Sequence, residues 1–517
     1  MVPSISFSGR ECRHADEIFA FPARTEFSVT TGYFANNCFG IGISVNLHLL
    51  LFRRFSWDRD SKSCQHPVSS AMFTQSSYLV DRAMSASGHF RRIAIVTIVA
   101  GCALLGAAGQ NLTFKRGEAE LIADEVAGDV VKHYYDRKLH GIDWDAQLRE
   151  AKNKIDNATS RNLAFANIAA MLDSLNDSHT AFVPRHSFSL DYGWRIQTIG
   201  ERCFVTRVRP QSDAATKIHP GDEVLAINDY KPVRANLVRI EYILNVLRPQ
   251  SKIKVTVRST AGQERQFEIV PKTFEGQLIS PTLGDMREYW EVEHKYIRPR
   301  VISLNSDVLV AKIPIFAFDE AEVRKLVSAA REHKTAVLDL RGNPGGTEES
   351  LGLLVSGFFD HEVKIADAVA RNGTKHRSAK PDRHTFSGKL IVLVDSRSTS
   401  AAEVFARIVQ LEKRGTIMGD RTLGMVMESQ RYGLASTGYS SSVSITVANL
   451  VMSDGNSLEH VGVTPDELVL PTVDDIANDR DTVLAHAAQI AGAKLSPKDA
   501  AELFPYEWQR PYYFAGH

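Results

Sequence analysis

Apolar residues recur at intervals of three and four positions between residues 116 and 173, which is the spacing of amphipathic helices. Leu121, Ile122, Val126 and Val130 carry the first stretch, and a similar series follows at Leu163, Ile168, Met171 and Leu172. The polar turn Asn-Asp-Ser-His-Thr at 176–180 then ends the helical pattern. The pattern predicts an N-terminal helical segment over residues 114–186.

Short apolar runs bounded by turn residues replace the helical spacing over residues 190–275. The runs at 203–205 and 255–257 predict strands, and a Gly-Asp turn at 221–222 leads into a buried strand that ends at Asn228. Residues 237–247 predict a helix. We therefore expect a β-rich domain between the helical segment and the rest of the chain.

Strands and helices alternate in the following 200 residues. Buried strands are expected at 308–313, 335–340 and 390–394, with helices at 320–331 and 403–411. Such alternation predicts crossover units and an α/β sheet in a core domain over residues 276–475. The tail, residues 476–517, is expected to be helical and then aromatic, and the sequence assigns no chemistry to it.

An apolar run near residue 100 resembles a targeting signal. Arg91 and Arg92 precede a 16-residue, mostly apolar run at 93–108, a length that is short for a membrane span. Residues 84–110 are therefore predicted to be a secretory signal peptide or an N-terminal anchor, with Met84 as the true start and residues 1–83 as a non-native or disordered extension. The protein is expected to be exported and periplasmic or otherwise extracytoplasmic, in contact with a membrane only through that anchor.

Composition narrows the function classes. The 517 residues include 61 basic and 61 acidic side chains, so the zero formal net charge argues against a nucleic-acid or membrane-surface protein. Of the five cysteines, only Cys203 lies beyond residue 102, so removal of the signal would leave no internal disulfide. No Cys/His cluster has the spacing of a zinc site, and we expect neither a metal nor a cofactor.

The β-rich domain over 190–275 resembles a PDZ domain. The resemblance rests on Pro-Gly-Asp at 220–222, the following strand and its Ile-Asn end at 227–228. Such domains bind peptides by adding a strand to a sheet edge and capturing a terminal carboxylate on backbone N–H groups. The resemblance implies that Tyr192, Gly193 and Trp194 form the peptide-binding loop. The alternative is a small β-domain that only gates an enzyme.

Four segments carry candidate chemistry, although each alone has an ordinary explanation. Ser400, in Ser-Thr-Ser-Ala-Ala-Glu at 398–403, follows a strand and precedes a helix, where a serine is most often an N-cap. Asp-Leu-Arg-Gly-Asn-Pro-Gly-Gly at 339–346 would alone be a strand-to-helix turn. Ser178 and His179 occupy a polar turn, and Glu459 precedes Gly-Val-Thr-Pro-Asp at 462–466.

Taken together and in this order, the four segments and the PDZ-like insert resemble the C-terminal processing and tail-specific proteases and the tricorn-type proteases of serine peptidase family S41. The resemblance covers residues 115–475. It implies a crotonase/ClpP-like α/β protease core with an N-terminal helical segment and an inserted PDZ-like β-rich domain.

The identity of the catalytic base divides this family. The processing-peptidase branch has a lysine 25 residues after the nucleophile, where this chain has Met425. A thioether cannot take a proton from a hydroxyl. The tricorn-like branch instead uses a histidine, preceded by a serine, that lies before the PDZ-like domain. An imidazole of unperturbed pKa about 6.5 is a competent base for a serine hydroxyl.

The resemblance to the tricorn-like branch implies a role for each of these residues. Ser400 is the nucleophile and His179 the general base, while Ser178 and Glu459 complete the relay. Ala401 N–H with that of Gly345 or Gly346 forms the oxyanion hole. His460 is a competing base, but it does not occupy the motif position.

The sequence thus predicts a serine-type endopeptidase that acts on exported proteins or peptides through an acyl-enzyme. One alternative is a catalytically inactive PDZ-like peptide-binding protein, for which the missing lysine would be the signature. Another is an unrelated α/β hydrolase or isomerase, against which the PDZ-like insert argues. The substrate, its cleavage site and the oligomeric state do not follow from the sequence.

Overall fold

The computed structural model describes residues 116–185, 188–275, 297–438, 440–506 and 508. All of these belong to one compact unit of the chain, Gln110–His517. The predicted extension at 1–83 and the predicted signal or anchor at 84–110 lie outside the described residues. No helix in the described part of the chain is long and apolar enough to span a membrane.

The part of the chain predicted to be an N-terminal helical segment contains three α-helices, Arg116–His133, Trp144–Asp156 and Arg161–Asp173, and the 3-10 helix Leu139–Gly141; its bounds as a separate segment stay a prediction. The second and third begin at side-chain caps, because Asp143 accepts from the amide of Ala146 and Ser160 from that of Leu163. The apolar faces of these helices form one core with residues of two β-strands, Ala181–Val183 and Ser442–Val451. The segment therefore packs against the sheet whose first strand begins two residues after His179.

Residues 188–275 form a β-rich unit, which we call the inserted domain. Its five-stranded antiparallel sheet has a core of its own. A two-stranded antiparallel sheet joins the ends of the domain. The predicted helix at 237–247 is a short α-helix that continues as a π-helical turn. PDZ-like architecture stays a prediction. In sheet order the five strands are Trp194–Ile199, Arg202–Val208, Glu223–Ile227, Ile253–Arg258 and Glu264–Ile269; the pair is Phe188–Asp191 with Lys272–Glu275, and the helices are Ala214–Thr216, Leu237–Tyr242 and Ile243–Leu247.

A six-stranded sheet, here called the core sheet, lies at the centre of the remaining chain. Four of its five strand pairings are parallel, as crossover connections require, and only the edge strand Arg300–Ser303 is antiparallel. The predicted strands and helices of this region are confirmed with shifts of one or two residues. In sheet order the strands are Glu467–Leu468, Gly415–Gly419, Lys389–Val394, Thr335–Asp339, Val308–Lys312 and Arg300–Ser303, and the helices are Glu320–Arg331, Glu348–Phe358 and Ala401–Leu411.

A second, wholly antiparallel sheet in this region does not follow the predicted alternation. The strand Ser442–Val451 pairs with three others, and a fifth strand extends the sheet. The strand Gly373–Ala379 illustrates why this sheet could not be predicted from apolar runs. Its residues Thr-Lys-His-Arg-Ser at 374–378 are polar and mostly exposed. The other strands are Ala181–Val183, Val363–Ala370 and Met427–Gly433. The structure is thus mixed α/β, as expected, and a crotonase/ClpP-like core stays a prediction.

The tail is helical, as expected, through Val473–Ala477, Thr482–Ala491 and Pro497–Leu503. The second of these helices packs on the face of the core sheet opposite the helix that follows Ser400. The parallel strands Thr335–Asp339 and Lys389–Val394 therefore lie between apolar layers, and their carboxyl ends carry two of the candidate motifs.

Candidate active site

Ser400 lies in a tight turn between the core strand Lys389–Val394 and the helix Ala401–Leu411. Its backbone has φ 53° and ψ −122°, a strained conformation for a residue with a side chain. The residue is half-buried, and Ala401 is the first residue of the helix. The first N–H groups of a helix lack i−4 partners within it. Those of Ala402 and Glu403 bond the carbonyls of Thr399 and Ser400, which leaves the Ala401 amide beside the serine hydroxyl.

The paired glycines of the 339–346 motif lie against this turn. A Cβ on Gly345 would be 2.6 Å from Ser400 Cβ, and one on Gly346 would be 2.1 Å from the carbonyl oxygen of Phe316. Both have positive φ, 93° and 141°, so the approach requires glycine. The buried Asn343 fixes the loop, since its carbonyl accepts from Thr399 N–H and its side-chain oxygen from Gly345 N–H, at 2.9 and 2.8 Å.

The two glycine amides are consequently not equivalent. Gly345 N–H is already bonded to Asn343, whereas the N–H groups of Gly346 and Ala401 have no acceptor among the residues that the structure describes. Gly345 shapes the loop next to Ser400, and Gly346 and Ala401 keep amide donors available for an anion.

His179, Ser178 and Glu459 form one hydrogen-bonded series, although 281 positions separate the last two. Ser178 Oγ is 2.7 Å from His179 Nδ1 and donates to Glu459 Oε2 at 2.9 Å. Glu459 Oε1 also accepts from the Ser178 amide at 2.7 Å. Since the Ser178 proton points to the carboxylate, its oxygen accepts from Nδ1–H, which leaves Nε2 of the imidazole as the basic nitrogen.

This series is largely shielded from water. His179 is 4% exposed and the Glu459 side chain 9%. Burial raises the pKa of Glu459, while the hydrogen bonds that it accepts from Val426 and Ser178 oppose that rise. A carboxylate held in this way keeps its acceptor role, and so it can orient the serine and through it the imidazole.

One peptide group connects this series to Ser400. The carbonyl of Met425 accepts from Ser400 N–H at 2.9 Å, and the amide of Val426, across the same peptide bond, donates to Glu459 Oε2 at 2.8 Å. Met425 thus contributes its backbone at the position where a lysine was sought.

Sequence reasoning missed the residue that holds the His179 backbone. Asp177 Oδ1 accepts from the amides of His179 and Thr180 at 2.9 and 2.7 Å and from the hydroxyl of Thr446 at 2.6 Å. Aspartate side chains in turns often accept hydrogen bonds from the amides two and three residues further along the chain. The position of Asp177 in the polar turn could therefore have predicted this role. Asp177 and Thr446 anchor the turn to the second sheet.

The remaining predicted residues lie elsewhere or have other partners. His460 is half-exposed, and its Nε2 bonds the carbonyl of Asn176 at 2.8 Å. Tyr192 and Trp194 are buried in the inserted domain, and Gly193 N–H donates to Asp191 at 2.9 Å. None of these contacts supports a carboxylate-binding loop at Tyr192, Gly193 and Trp194, and that assignment stays a prediction.

The inserted domain contacts both loops that surround Ser400. Arg397, three residues before Ser400, bonds both oxygens of Glu241 at 2.6 and 2.7 Å. On the other loop, the buried Arg234 contacts Asp420 at 2.7 Å and the carbonyl of Arg421 at 2.6 Å. These ion pairs fix the orientation of the domain relative to the Ser400 turn.

The chain is similar in sequence to known peptidases. Residues 307–469 match the model of peptidase family S41. The carboxy-terminal processing protease CtpA of Bacillus subtilis is 30% identical over 316 residues, which cover 58% of this chain and 62% of that protein. A carboxyl-terminal-processing protease of Synechocystis is 29% identical over 255 residues, 49% of this chain and 55% of the relative. The chain therefore spans a little over half the length of these two relatives.

A solved structure supports the fold. Mature CPAF in complex with lactacystin superimposes with a TM-score of 0.54 at 16% identity, over 71% of this chain and 96% of that one. At this level of identity the similarity concerns the fold alone.

Proposed function

Because the chain belongs to peptidase family S41, we propose that it is a serine-type endopeptidase that hydrolyses peptide bonds through an acyl-enzyme. The observation that carries the proposal is the series from His179 Nδ1 through Ser178 Oγ to Glu459 Oε2, with Glu459 bonded to the peptide group that also bonds Ser400. This arrangement supplies a base to a chain that lacks the alternative lysine.

In this mechanism Ser400 Oγ attacks the scissile carbonyl carbon and gives its proton to His179 Nε2. The imidazolium formed is stabilised because Nδ1–H donates to Ser178, whose own proton is held by the Glu459 carboxylate. His179 then delivers the proton to the leaving amine, and the C–N bond breaks. In the second half, a water gives a proton to Nε2 and attacks the ester carbonyl carbon. The C–Oγ bond then breaks as His179 returns that proton to Ser400 Oγ, which releases the carboxylic acid product and restores the serine hydroxyl.

The oxyanion of each tetrahedral intermediate is assigned to the N–H groups of Ala401 and Gly346. Of the two glycines expected from the sequence, Gly346 is preferred because Gly345 N–H is bonded to Asn343 at 2.8 Å. One such donor is typically worth about 3–4 kcal/mol of barrier. The strained Ser400 backbone supports the assignment, since strain of this kind concentrates where a site must be preorganised.

The proposed substrates are proteins or peptides of the exported compartment, and no cofactor takes part. The inserted domain is assigned to peptide positioning or gating, because it contacts the segments on both sides of Ser400 through Arg397 and Arg234. A sheet edge of this domain is the expected peptide contact.

A fluorophosphonate probe tests the proposal directly. Wild type should be labelled at Ser400 and should cleave an unfolded protein substrate, and Ser400→Ala should lose both activities. Ser436→Ala, at an exposed serine, is the matched control and should be labelled like wild type. A folded wild type that is neither labelled nor active, yet binds peptides in an anisotropy assay, would instead support the inactive peptide-binding alternative.

A further inference from the structure

A second buried carboxylate lies directly beneath Ser400 and has no part in the relay. Glu403 is the third residue of the helix Ala401–Leu411, and its side chain is 0% exposed. A solvated glutamate at a helix start would only complement the helix dipole. Full burial of a carboxylate without a paired cation is unfavourable unless hydrogen bonds compensate, so its partners decide what it does.

Four donors converge on this carboxylate from two segments of the site. Oε1 accepts from Thr422 Oγ1 at 2.6 Å and from Gly424 N–H at 2.7 Å. Oε2 accepts from the amides of Ser400 and Met425, both at 3.0 Å. Glu403 therefore joins the Ser400 turn to the loop at 422–426, which carries the Met425–Val426 peptide.

This loop is connected in turn to the Glu459 segment. Thr422 Oγ1 accepts from Val463 N–H at 2.6 Å, and the carbonyl of Gly424 accepts from His460 N–H at 2.8 Å. The nucleophile turn, the bridging loop and the relay segment thus share one hydrogen-bond network that has Glu403 at its centre.

Three of the four partners are main-chain amides, which can only donate. An ionised carboxylate satisfies all four donors at once. The protonated acid would turn one oxygen into a donor, which conflicts with an amide at Oε2 and with the Thr422 proton at Oε1. The observed network therefore fits the charged form of Glu403.

We propose that Glu403 is a positioning residue, whose ionised carboxylate holds the Ser400 turn and the 422–426 loop in the geometry that the proposed peptidase requires. The inference rests on the function proposed above. Burial raises the pKa of Glu403 to about 7, against the opposing effect of its hydrogen bonds. Loss of the charge near neutral pH therefore weakens the network and lowers turnover.

Other ionisable groups on the surrounding segments are held by different partners. Asp395 accepts from Gln197, Arg397 pairs with Glu241, Asp420 with Arg234, Arg421 with Glu201, Glu459 bonds Ser178, and His460 bonds the Asn176 carbonyl. Of these, Glu459 and His460 bear on the relay, so a pH profile must separate the contribution of Glu403 from that of the relay.

Comparing the pH dependence of kcat/KM between wild type and Glu403→Gln separates the two contributions. Glutamine has the shape of glutamate but no titration, and its NH₂ opposes two of the donors. We expect kcat to fall about 100-fold, as for a small misplacement of a reacting group, with KM near wild type. In wild type, kcat/KM should rise with pH as two protons are lost, one from the relay and one from Glu403. In Glu403→Gln it should rise as one proton is lost, from the relay.

The matched control is Glu322→Gln. Glu322 is also the third residue of a helix, Glu320–Arg331, and accepts from the amide of Asp319 at 3.1 Å, outside the network around Glu403. This variant should keep the rate and the profile of wild type. Full activity of Glu403→Gln with an unchanged two-proton profile would overturn the inference while leaving the peptidase assignment intact.

Thr422→Val covers the case in which Glu403→Gln does not fold. It removes one donor to the charged carboxylate, so the pKa of Glu403 should rise further and the activity profile should move to higher pH. A profile that stays in place would contradict the inference. Absence of hydrolysis and of Ser400 labelling in wild type would refute the proposed function itself, and with it the positioning role.

Discussion

The main-chain amide of Ser400 and the carboxylate of Glu459 bond to opposite sides of one peptide group, that between Met425 and Val426. The two hydrogen bonds are 2.9 and 2.8 Å long. Any movement of the 422–426 loop would therefore change the nucleophile turn and the relay together. Met425 thus takes part in the site through its backbone.

The proposed relay predicts a defined effect of Ser178. Ser178→Ala removes the hydroxyl between His179 Nδ1 and Glu459 Oε2, so the imidazole loses its orienting acceptor. We expect kcat to fall by about 10²- to 10⁴-fold, the range for general acid–base assistance, with little change in KM. Steady-state peptide hydrolysis measures both constants.

Ser178→Thr is the matched control for this prediction, because threonine keeps the hydroxyl. It should retain much more activity than Ser178→Ala. Equal losses in the two variants would indicate that packing at residue 178, and not the relay, limits the rate.

The glycine loop predicts a contrast between two residues of one motif. Gly345→Ala would place a Cβ 2.6 Å from that of Ser400, whereas a Cβ on Gly342 would meet nothing within 4 Å. Both have positive φ, which alone should cost each alanine about 1–2 kcal/mol of stability, and the close contact with the Ser400 turn should destabilise Gly345→Ala further. Only Gly345→Ala should also displace the nucleophile.

Denaturation midpoints and fluorophosphonate labelling rates together test this contrast. Gly345→Ala is expected to have the lower midpoint and, in the folded protein, slow labelling, whereas Gly342→Ala should be labelled at the wild-type rate. Fast labelling of Gly345→Ala would mean that the close approach of this loop to Ser400 is not needed for reactivity.

The raised pKa of Glu403 has a consequence for stability that is opposite in sign to its effect on activity. Because the folded-state pKa, about 7, exceeds the ordinary value of 4.5, the folded protein binds this proton more tightly than the unfolded chain. The resulting stabilisation is complete below pH 4.5 and is lost as the pH rises through about 7. The free energy of unfolding of wild type should therefore fall, relative to Glu403→Gln, between pH 5 and 8.

Chemical denaturation at several pH values measures this difference, with Glu322→Gln as the control that should run parallel to wild type. A constant difference between wild type and Glu403→Gln across the range would show that Glu403 does not titrate there.

The elements that could be predicted from the sequence are those with a clear pattern of apolar residues. The core strands and helices around Ser400 could be predicted because buried parallel strands are continuous apolar runs, as at Lys389–Val394. The strand Gly373–Ala379 could not, since its exposed charged side chains carry no apolar period. Its place in the second sheet is set by pairing with Val363–Ala370, a tertiary contact.

The site shows the same limit. Ser178 and Glu459 could be paired only by family resemblance, because no local pattern links residues 281 positions apart. Glu403 was visible as part of the Ser400 motif, but its four donors come from the fold. The oxyanion assignment also depended on geometry, since the sequence left Gly345 and Gly346 equivalent.

The most direct test of the central claim, that the base comes from the turn before the inserted domain, is the peptidase rate of folded His179→Ala. We predict a loss of about four to six orders of magnitude in kcat, comparable with that of Ser400→Ala and not additive with it in the double variant. Wild-type turnover by His179→Ala would contradict the account.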